Sequence, residues 1–248
     1  MTLEEIANNN IKKLKENQYP GRGIIIGKAT KSNKIIQIYW IMGRSESSRN
    51  RIFIKDENNF VKTKLFNENN NNSDLSLIIY YPIKSYQNFH IIGNGDQTDT
   101  IYEYLKNNKT FEDSLDSRLF EHDKPNFTPR ISGIIDISNN EYKYKLSIIK
   151  SINNDPNYLQ RNIFKYKSFL NGYGHYISTY CKDSNPLISY KGEPEILKIF
   201  DDIEENLEYY WNILNCENKI SMLVKSIEIE TGKINISILN KHRAECIR

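Results

Sequence analysis

The segment from residue 43 to residue 51 holds the densest set of anion-binding side chains in the sequence. It reads GRSESSRNR, with three arginines and three serines in nine residues. Guanidinium groups bind phosphate or carboxylate through paired hydrogen bonds, and hydroxyls and loop amides complete such a shell. The segment therefore predicts a phosphate or carboxylate site, with an ordinary exposed hairpin loop as the alternative.

A second candidate is the turn Gly21-Arg22-Gly23, which precedes a short apolar run. An arginine in so tight a turn suggests an anion contact, although a glycine-rich turn leading into a strand explains the same residues. Two nucleotide motifs are excluded. Lys28 is followed by Ala29 rather than Ser or Thr, as a Walker A loop requires, and Ile26 occupies a glycine position of the dinucleotide fingerprint.

The segment Gly93–Asp99 (GNGDQTD) links a predicted strand to a predicted helix. Loop amides and the helix dipole favour an anionic group at such a position. Asn94 and Gln97 have side chains that pair with amide and carbonyl groups of a ligand. Simple capping of the helix by Asp96 or Thr98 is the alternative.

Three further candidates are weak when taken singly: Arg130 after Pro129, His175 in the segment GYGHYISTY, and Glu193 before Pro194. Helix-dipole stabilisation is the alternative for Glu193. Metal and nucleophile sites are not indicated, because the four histidines are scattered, with no HExxH spacing, and no GxSxG elbow occurs.

Composition excludes several classes of protein. The 248 residues include 34 Lys plus Arg against 31 Asp plus Glu, a net charge of +3, which argues against nucleic acid as the main partner. No apolar run approaches the ~18 residues of a membrane span, and the first residues lack the features of a signal peptide. Three cysteines without a CxxC pair predict a reduced, cytoplasmic protein.

The apolar spacing predicts the elements that must position these side chains. A helix is expected from about Leu3 to Asn17, with Thr2 and Glu5 in capping-box spacing. Two more helices are expected over Asp99–Asn107 and Pro194–Leu214. Strands are predicted at 24–27, 35–42, 51–55, 61–66, 75–81, 131–138, 142–150, 158–170 and 175–181, followed by two final strands that meet at Thr231-Gly232.

Antiparallel strands without regular βαβ alternation favour a layered α+β fold over a doubly wound one. Neither an internal repeat nor a Pro/Ser-rich linker is visible, so residues 1–248 are interpreted as one domain.

Six segments, taken together and in order, resemble the archaeal-type IMP cyclohydrolases. They extend from about residue 19 to residue 194 and read YPGRGIIIG, WIMGRSESSRNR, GNGDQTD, TPRI, GHYISTY and GEP. The resemblance implies a four-layer αββα sandwich of mostly antiparallel sheets, like that of the N-terminal-nucleophile hydrolases. It also implies closure of the purine ring of 5-formamidoimidazole-4-carboxamide ribotide (FAICAR) to IMP, with loss of water and with no metal or organic cofactor. The N-terminal nucleophile itself is not expected, because Thr2 caps a predicted helix well before the first strand.

Ring closure needs near-attack positioning, donors for the developing oxyanion, and proton transfer. For these roles we assign Arg22 to neutralise negative charge, Arg130 to support the oxyanion, and Tyr81, with Tyr80 as its competitor, to move the proton. Asp96 and Asn94 are assigned to the carboxamide and formamide. The remaining substrate-binding assignments are Arg44, Ser45, Ser48 and Arg49 for the phosphate, and Thr98, His175 and Glu193.

Two other classes stay open at this point. One is a different amide-bond hydrolase on the same scaffold, and the other is a non-catalytic regulator that binds a purine ribotide. The expected partner in the main interpretation is the ribotide itself, with no nucleic acid and no membrane. Strand edges in a sandwich are often covered by self-association, so a homo-oligomer is expected.

Overall fold

A computed structural model of the chain describes residues 1–68 and 78–244. Its helices are α1 (Leu3–Glu16), α2 (Glu46–Arg49), α3 (Gln97–Lys106), α4 (Phe111–Asp116), α5 (Ile203–Ile213) and α6 (Lys241–Ala244). Its strands are β1 (Gly23–Lys28), β2 (Lys34–Met42), β3 (Arg51–Lys55), β4 (Val61–Leu65), β5 (Ile83–Tyr86), β6 (Phe89–Gly93), β7 (Arg130–Asp136), β8 (Tyr144–Ile152), β9 (Asp155–Tyr166), β10 (Tyr173–Ser178), β11 (Tyr180–Lys182), β12 (Ile188–Ser189), β13 (Glu195–Lys198), β14 (Lys219–Glu228) and β15 (Ile234–Asn240).

Two antiparallel sheets form the body of the fold. One has six strands in the order β13-β10-β1-β2-β14-β15, and the other has seven strands in chain order from β3 to β9. The small pair β11 and β12 stands apart from both. Because neighbouring strands are antiparallel and side chains alternate between faces, each central strand sends every second residue toward the opposite sheet.

Three apolar cores define the layers. The first lies between the sheets and includes Ile24 and Ile26 of β1 and Ile131 of β7. The second covers the outer face of the six-stranded sheet, where Leu14 of α1 and Leu207 of α5 pack. The third covers the outer face of the seven-stranded sheet and contains residues of α3 and α4. The result is an α+β sandwich with helices outside two facing sheets.

Most predicted elements are confirmed. The capping box at α1 is present, with the Glu5 amide donating to the Thr2 hydroxyl (3.2 Å) and the Thr2 amide donating to the Glu5 carboxylate (2.7 Å). The predicted strand at 75–81 is not: residues 75–77 lie outside the described residues, and residues 78–81 form no strand.

The predicted helix Pro194–Leu214 is wrong in its first half. Residues Glu195–Lys198 form β13, which pairs with β10, and α5 begins only at Ile203. The Asp202 carboxylate caps α5 by accepting hydrogen bonds from the amides of Glu204 and Glu205 (2.8 and 2.9 Å). The apolar residues before this cap fit helical spacing and strand alternation equally well, so pairing with β10 decides the outcome.

No helix in the described part of the chain is long and apolar enough to cross a membrane.

Candidate active site

Arg22 lies at the end of the sandwich, immediately before β1. Gly21 precedes it with a positive φ of 74°, and a Cβ at Gly21 would collide with Thr179 and Tyr180, so this position requires glycine. The Arg22 amide donates to the Thr179 hydroxyl (3.1 Å), and the Thr179 amide donates to the Arg22 carbonyl (3.0 Å). Strand alternation places the Arg22 side chain on the same face as Ile24, toward the opposite sheet.

Arg51, the first residue of β3, faces the same space from the other sheet. Its side chain is 0% exposed, and its Nε donates to the Ser48 carbonyl (2.8 Å). Its Nη1 and Nη2, and the Nε of Arg22, are buried and have no hydrogen-bond acceptor among the described residues. Burial and the neighbouring Arg22 both lower the pKa of Arg51, yet a guanidinium keeps its proton in proteins. Unused donors on these two neighbouring guanidinium groups make the cluster suited to binding an anion.

Two tyrosine hydroxyls lie near these arginines. The hydroxyls of Tyr39, on β2, and Tyr80 are 2.7 Å apart, and both residues are buried. The Tyr80 amide donates to the Thr63 hydroxyl (2.8 Å), which fixes its backbone. Burial and the neighbouring phenol raise the pKa of Tyr39 well above its ordinary value, so its hydroxyl stays protonated and available as a donor.

Glu121 is the buried carboxyl of the cluster. It is only 4% exposed, and its amide donates to the Thr128 carbonyl (2.9 Å). Burial raises the pKa of its carboxyl to about 7, against the lowering effect of Arg22 and Arg130. In turn Glu121, followed by the nearby tyrosines, raises the pKa of Arg22 above its ordinary value despite its burial. A carboxyl that titrates near neutrality is suited to both accepting and returning a proton.

A hydrogen-bonded chain leads from Asp123 to the phenol of Tyr180. The Thr128 hydroxyl donates to the Asp123 carboxylate (2.5 Å) and lies 2.6 Å from the Tyr180 hydroxyl. Because the threonine proton goes to the carboxylate, Tyr180 is the donor to Thr128. The Tyr180 ring stacks on Tyr19, with centroids 5.9 Å apart. This chain fixes the phenol beside Arg22, whose charge lowers the raised pKa of Tyr180.

Arg130 and its hydrogen-bond partners hold the segment that carries Glu121. The Arg130 guanidinium contacts the Asp96 carboxylate (2.6 Å), the Gln97 side-chain oxygen (2.8 Å) and the Leu119 carbonyl (2.8 Å). The last contact holds the chain just before Glu121. A Cβ at Gly95 would lie 2.6 Å from the Arg130 Nη1, so the bracket needs glycine there. Arg130 and Asp96 thus act as positioning residues.

Asn94 and Thr98 lie beside Gln97, the residue that contacts Arg130. The Asn94 side chain donates to the Pro129 carbonyl (2.9 Å) and accepts from the Ile131 amide and from Gln97 (both 2.8 Å). These bonds use the side-chain oxygen and the side-chain nitrogen of Asn94, so this side chain stabilises the fold. Thr98 is 0% exposed, and its hydroxyl has no partner among the described residues.

The predicted phosphate-binding side chains lie at the rim. Arg44 stacks over the Tyr19 ring, with its Cζ atom 4.8 Å from the ring centroid, and pairs with Asp183 (2.6 Å). Arg49 donates to the Gly43 carbonyl (3.1 Å). Ser45 and Ser48 form the capping box of α2. Arg44 is therefore connected to the buried cluster through Tyr19, whereas Ser45 and Ser48 are engaged within their own turn.

The other predicted residues lie outside the buried cluster. The Tyr81 ring packs edge-on against Phe60, beneath the Lys84 ammonium (4.5 Å from the ring centroid), and Tyr80 takes the place beside Arg22. The His175 Nδ1 lies 2.6 Å from the Tyr144 hydroxyl, and burial lowers the pKa of His175 to about 4. Glu193 lines a separate cleft along β8 and β9.

Sequence reasoning missed Glu121, Asp123, Tyr39 and Tyr180 as site residues. Tyr39 stands within the apolar run of β2, between Ile38 and Trp40, and looks like a core residue. Glu121 and Asp123 stand in the segment FEHDKP, where the proximity of Thr128 is the only local signal. Their roles arise from pairing between distant segments.

The arrangement is that of an α+β sandwich with two arginines and a buried carboxyl, whose pKa is raised to about 7, at one end of the space between the sheets. Within the described residues, no group of three His, Cys, Asp or Glu side chains is placed to hold a metal ion.

The family follows from the sequence comparison. The model of the IMP cyclohydrolase-like protein family matches residues 19–232, and the chain belongs to that family. None of the curated proteins matches the chain.

Proposed function

We propose that the chain is an IMP cyclohydrolase that closes the purine ring of FAICAR with loss of water. The observation that carries the proposal is the buried carboxyl of Glu121 beside Arg22 and Arg51, because the Arg22 Nε and the Arg51 Nη1 and Nη2 have no acceptor among the described residues. The family supplies the reaction class, and the cluster supplies groups that suit its two demands, charge stabilisation and proton transfer.

The reaction forms a bond from the carboxamide nitrogen to the formyl carbon. Glu121, as carboxylate, takes a proton from that nitrogen, and negative charge develops on the formyl oxygen. Arg22 and the Tyr39–Tyr80 pair donate to this oxygen. The tetrahedral carbon then expels its oxygen as water, whose two hydrogens derive from the carboxamide nitrogen and the formamide nitrogen. Glu121 returns its proton in this second step, so it ends as it began.

Substrate binding uses Arg51 for the reacting end of the ligand and Arg44 for its phosphate. Arg51 holds the reacting end of the ligand from the sheet opposite Arg22, because its Nη1 and Nη2 are buried without an acceptor among the described residues. Arg44, on the outer side of Tyr19, binds the ribotide phosphate, which competes with Asp183 for the guanidinium. Arg49 is a second partner of the phosphate, and Ser45 and Ser48 hold the turn that carries Arg49. A positioned intramolecular attack gains much of its rate from such fixation.

The fold proposed for the family, an αββα sandwich of the N-terminal-nucleophile-hydrolase type without the nucleophile, is supported by the two facing sheets and their outer helices. Thr2 is engaged in the capping box of α1, a helix on the outer face of the six-stranded sheet. The chemistry is therefore assigned to the cluster around Glu121 and not to the start of the chain.

Direct turnover tests the proposal. Purified protein is mixed with FAICAR in the presence of a chelator, and IMP formation is followed against a no-enzyme control and against Glu121→Gln. Rapid formation of IMP by the unchanged protein, lost in the variant, supports the proposal. Binding of FAICAR without turnover would favour a regulator, and the absence of both binding and turnover would overturn the assignment.

A further inference from the structure

A second pocket, here called the far-end pocket, opens at the end of the sandwich opposite Arg22. It has a volume of about 240 Å³, which is roughly eight waters at about 30 Å³ each. It lies where strand ends of both sheets meet, and its lining comes from the ends of β1 and β2, the β7–β8 turn, the β9–β10 connection and the β14–β15 turn. Its size suits a small molecule of about a dozen heavy atoms or fewer.

The floor of the far-end pocket is apolar and held in place. Ile35 is 1% exposed, and Phe169, Ile137 and Ile229 pack against the core between the sheets. The Phe169 ring stacks on Tyr144, with centroids 4.8 Å apart and 13° between planes. A ring anchored in this way gives a ligand a preformed apolar surface.

The rim of the far-end pocket is cationic. Lys28, Lys143 and Lys167 line it together with Ser168 and Asn171, and no Asp or Glu lines it among the described residues. Lys143 donates to the Asn139 carbonyl (2.7 Å), which leaves two of its three ammonium donors. None of the three lysines is in an ion pair within the described part of the chain. Three like charges around one opening attract an anion.

Backbone pairing fixes the positions of two of these groups. Lys28 is the last residue of β1, its carbonyl accepts from the Gly172 amide (2.8 Å), and it forms a bridge with Asn171. The cationic rim is thus tied to the same strand whose other end carries Arg22. Six residues of extended chain separate the two, about 20 Å at 3.3 Å per residue, so the far-end pocket is a separate site.

We propose that the far-end pocket binds a small amphipathic anion, meaning a carboxylate or phosphate group carried on an apolar body. The head group contacts Lys28 and Lys167 at the rim, with Lys143 as third partner, and the body rests on Phe169 and Ile229. Neither the ring closure nor the family accounts for this pocket. The inference stands whether or not the proposed function is correct, because it rests on different residues.

Calorimetric titration tests it with four probes. Benzoate and phenyl phosphate carry the anion and the ring, benzamide has the ring without the charge, and acetate has the charge without the ring. We expect benzoate or phenyl phosphate to bind one per chain, about tenfold more tightly than benzamide and acetate. Whichever of the two binds better identifies the preferred head group.

The variants locate the binding. Lys28→Gln combined with Lys167→Gln is expected to weaken the tighter probe by about tenfold, while Lys165→Gln, an exposed lysine outside the pocket, leaves it within about twofold. Unfolding temperatures of all variants are measured alongside. Absence of saturable binding, equal binding of benzamide, or binding that survives the double variant but is lost in Arg51→Met would overturn the inference; the last outcome would assign the probe to the active site.

Discussion

Arg51 and Lys225 are both 0% exposed cations between the two sheets, yet their surroundings differ. Arg51 has two nitrogens without an acceptor among the described residues. The Lys225 amine, on β14, contacts the Ser85 hydroxyl (2.7 Å) and the His90 Nδ1 (3.0 Å). Burial lowers the pKa of Lys225 to about 7, whereas a guanidinium cannot lose its proton. The lysine can become neutral within the fold, but the arginine stays charged and needs an anion.

Hydrogen-bond partners distinguish a functional buried cation from a structural one. In the lysine cluster, the amine has hydrogen-bond partners in the neighbouring hydroxyl and imidazole. Burial and the charge of Lys225 lower the pKa of His90 to about 3. The arginine cluster combines a carboxyl of raised pKa with guanidinium nitrogens that have no acceptor among the described residues. Unused donors beside a group that titrates near neutrality indicate chemistry; saturated partners indicate packing.

The largest effect is expected at Glu121. Glu121→Gln keeps the shape and removes the base, so kcat for IMP formation should fall by about 10²–10⁴-fold. Glu103→Gln, an exposed glutamate on α3, is the matched control and should leave kcat unchanged. A Glu121→Gln protein with full turnover would remove the arginine cluster from the chemistry.

Arg51→Met should lower kcat/KM by about 10²–10³-fold without lowering the unfolding temperature. The variant removes a buried charge with unmade hydrogen bonds, and that gain offsets the lost bond to Ser48. Thermal unfolding and steady-state kinetics on the same preparation check both parts. A large drop in unfolding temperature would instead give Arg51 a structural role.

Lys225→Met should leave turnover unchanged and alter the pH dependence of stability. Between pH 7 and 10.5 the unfolded chain holds the lysine proton and the folded chain does not, so the free energy of unfolding rises with pH there, by at most about 1.4 kcal/mol per pH unit. Denaturant unfolding at several pH values should show this slope in the unchanged protein and a smaller one in the variant. Identical slopes would contradict a neutral buried amine.

Arg44→Gln tests the rim and should have the smallest effect. Loss of a partly exposed phosphate contact should raise KM about tenfold and leave kcat nearly unchanged, since the rim does not touch the reacting atoms. Lys15→Gln on α1 removes the same charge elsewhere and serves as control. An unchanged KM would assign the phosphate to another group, with Arg51 as the next candidate.

Local patterns in the sequence predicted the fold better than the site. Thr2 and Glu5 marked α1 because a capping box is a local device, and β3 was predicted with its observed bounds, Arg51–Lys55. Arg22 was singled out as a candidate because glycines on both sides of an arginine are a local signal. Glu121 and Tyr180 were not, because their importance depends on burial and on segments more than fifty residues apart.

The pH dependence of kcat/KM for IMP formation is the decisive measurement for the role of Glu121, because this parameter reports the titration of the free enzyme. We expect a rising limb with a midpoint near pH 7, which reports ionisation of Glu121. The limb should disappear in Glu121→Gln. It should remain in Lys225→Met, which removes the buried amine whose pKa of about 7 lies in the same range. A limb that persists in Glu121→Gln, or is absent from the unchanged protein, would contradict the claim that Glu121 is the base of the reaction.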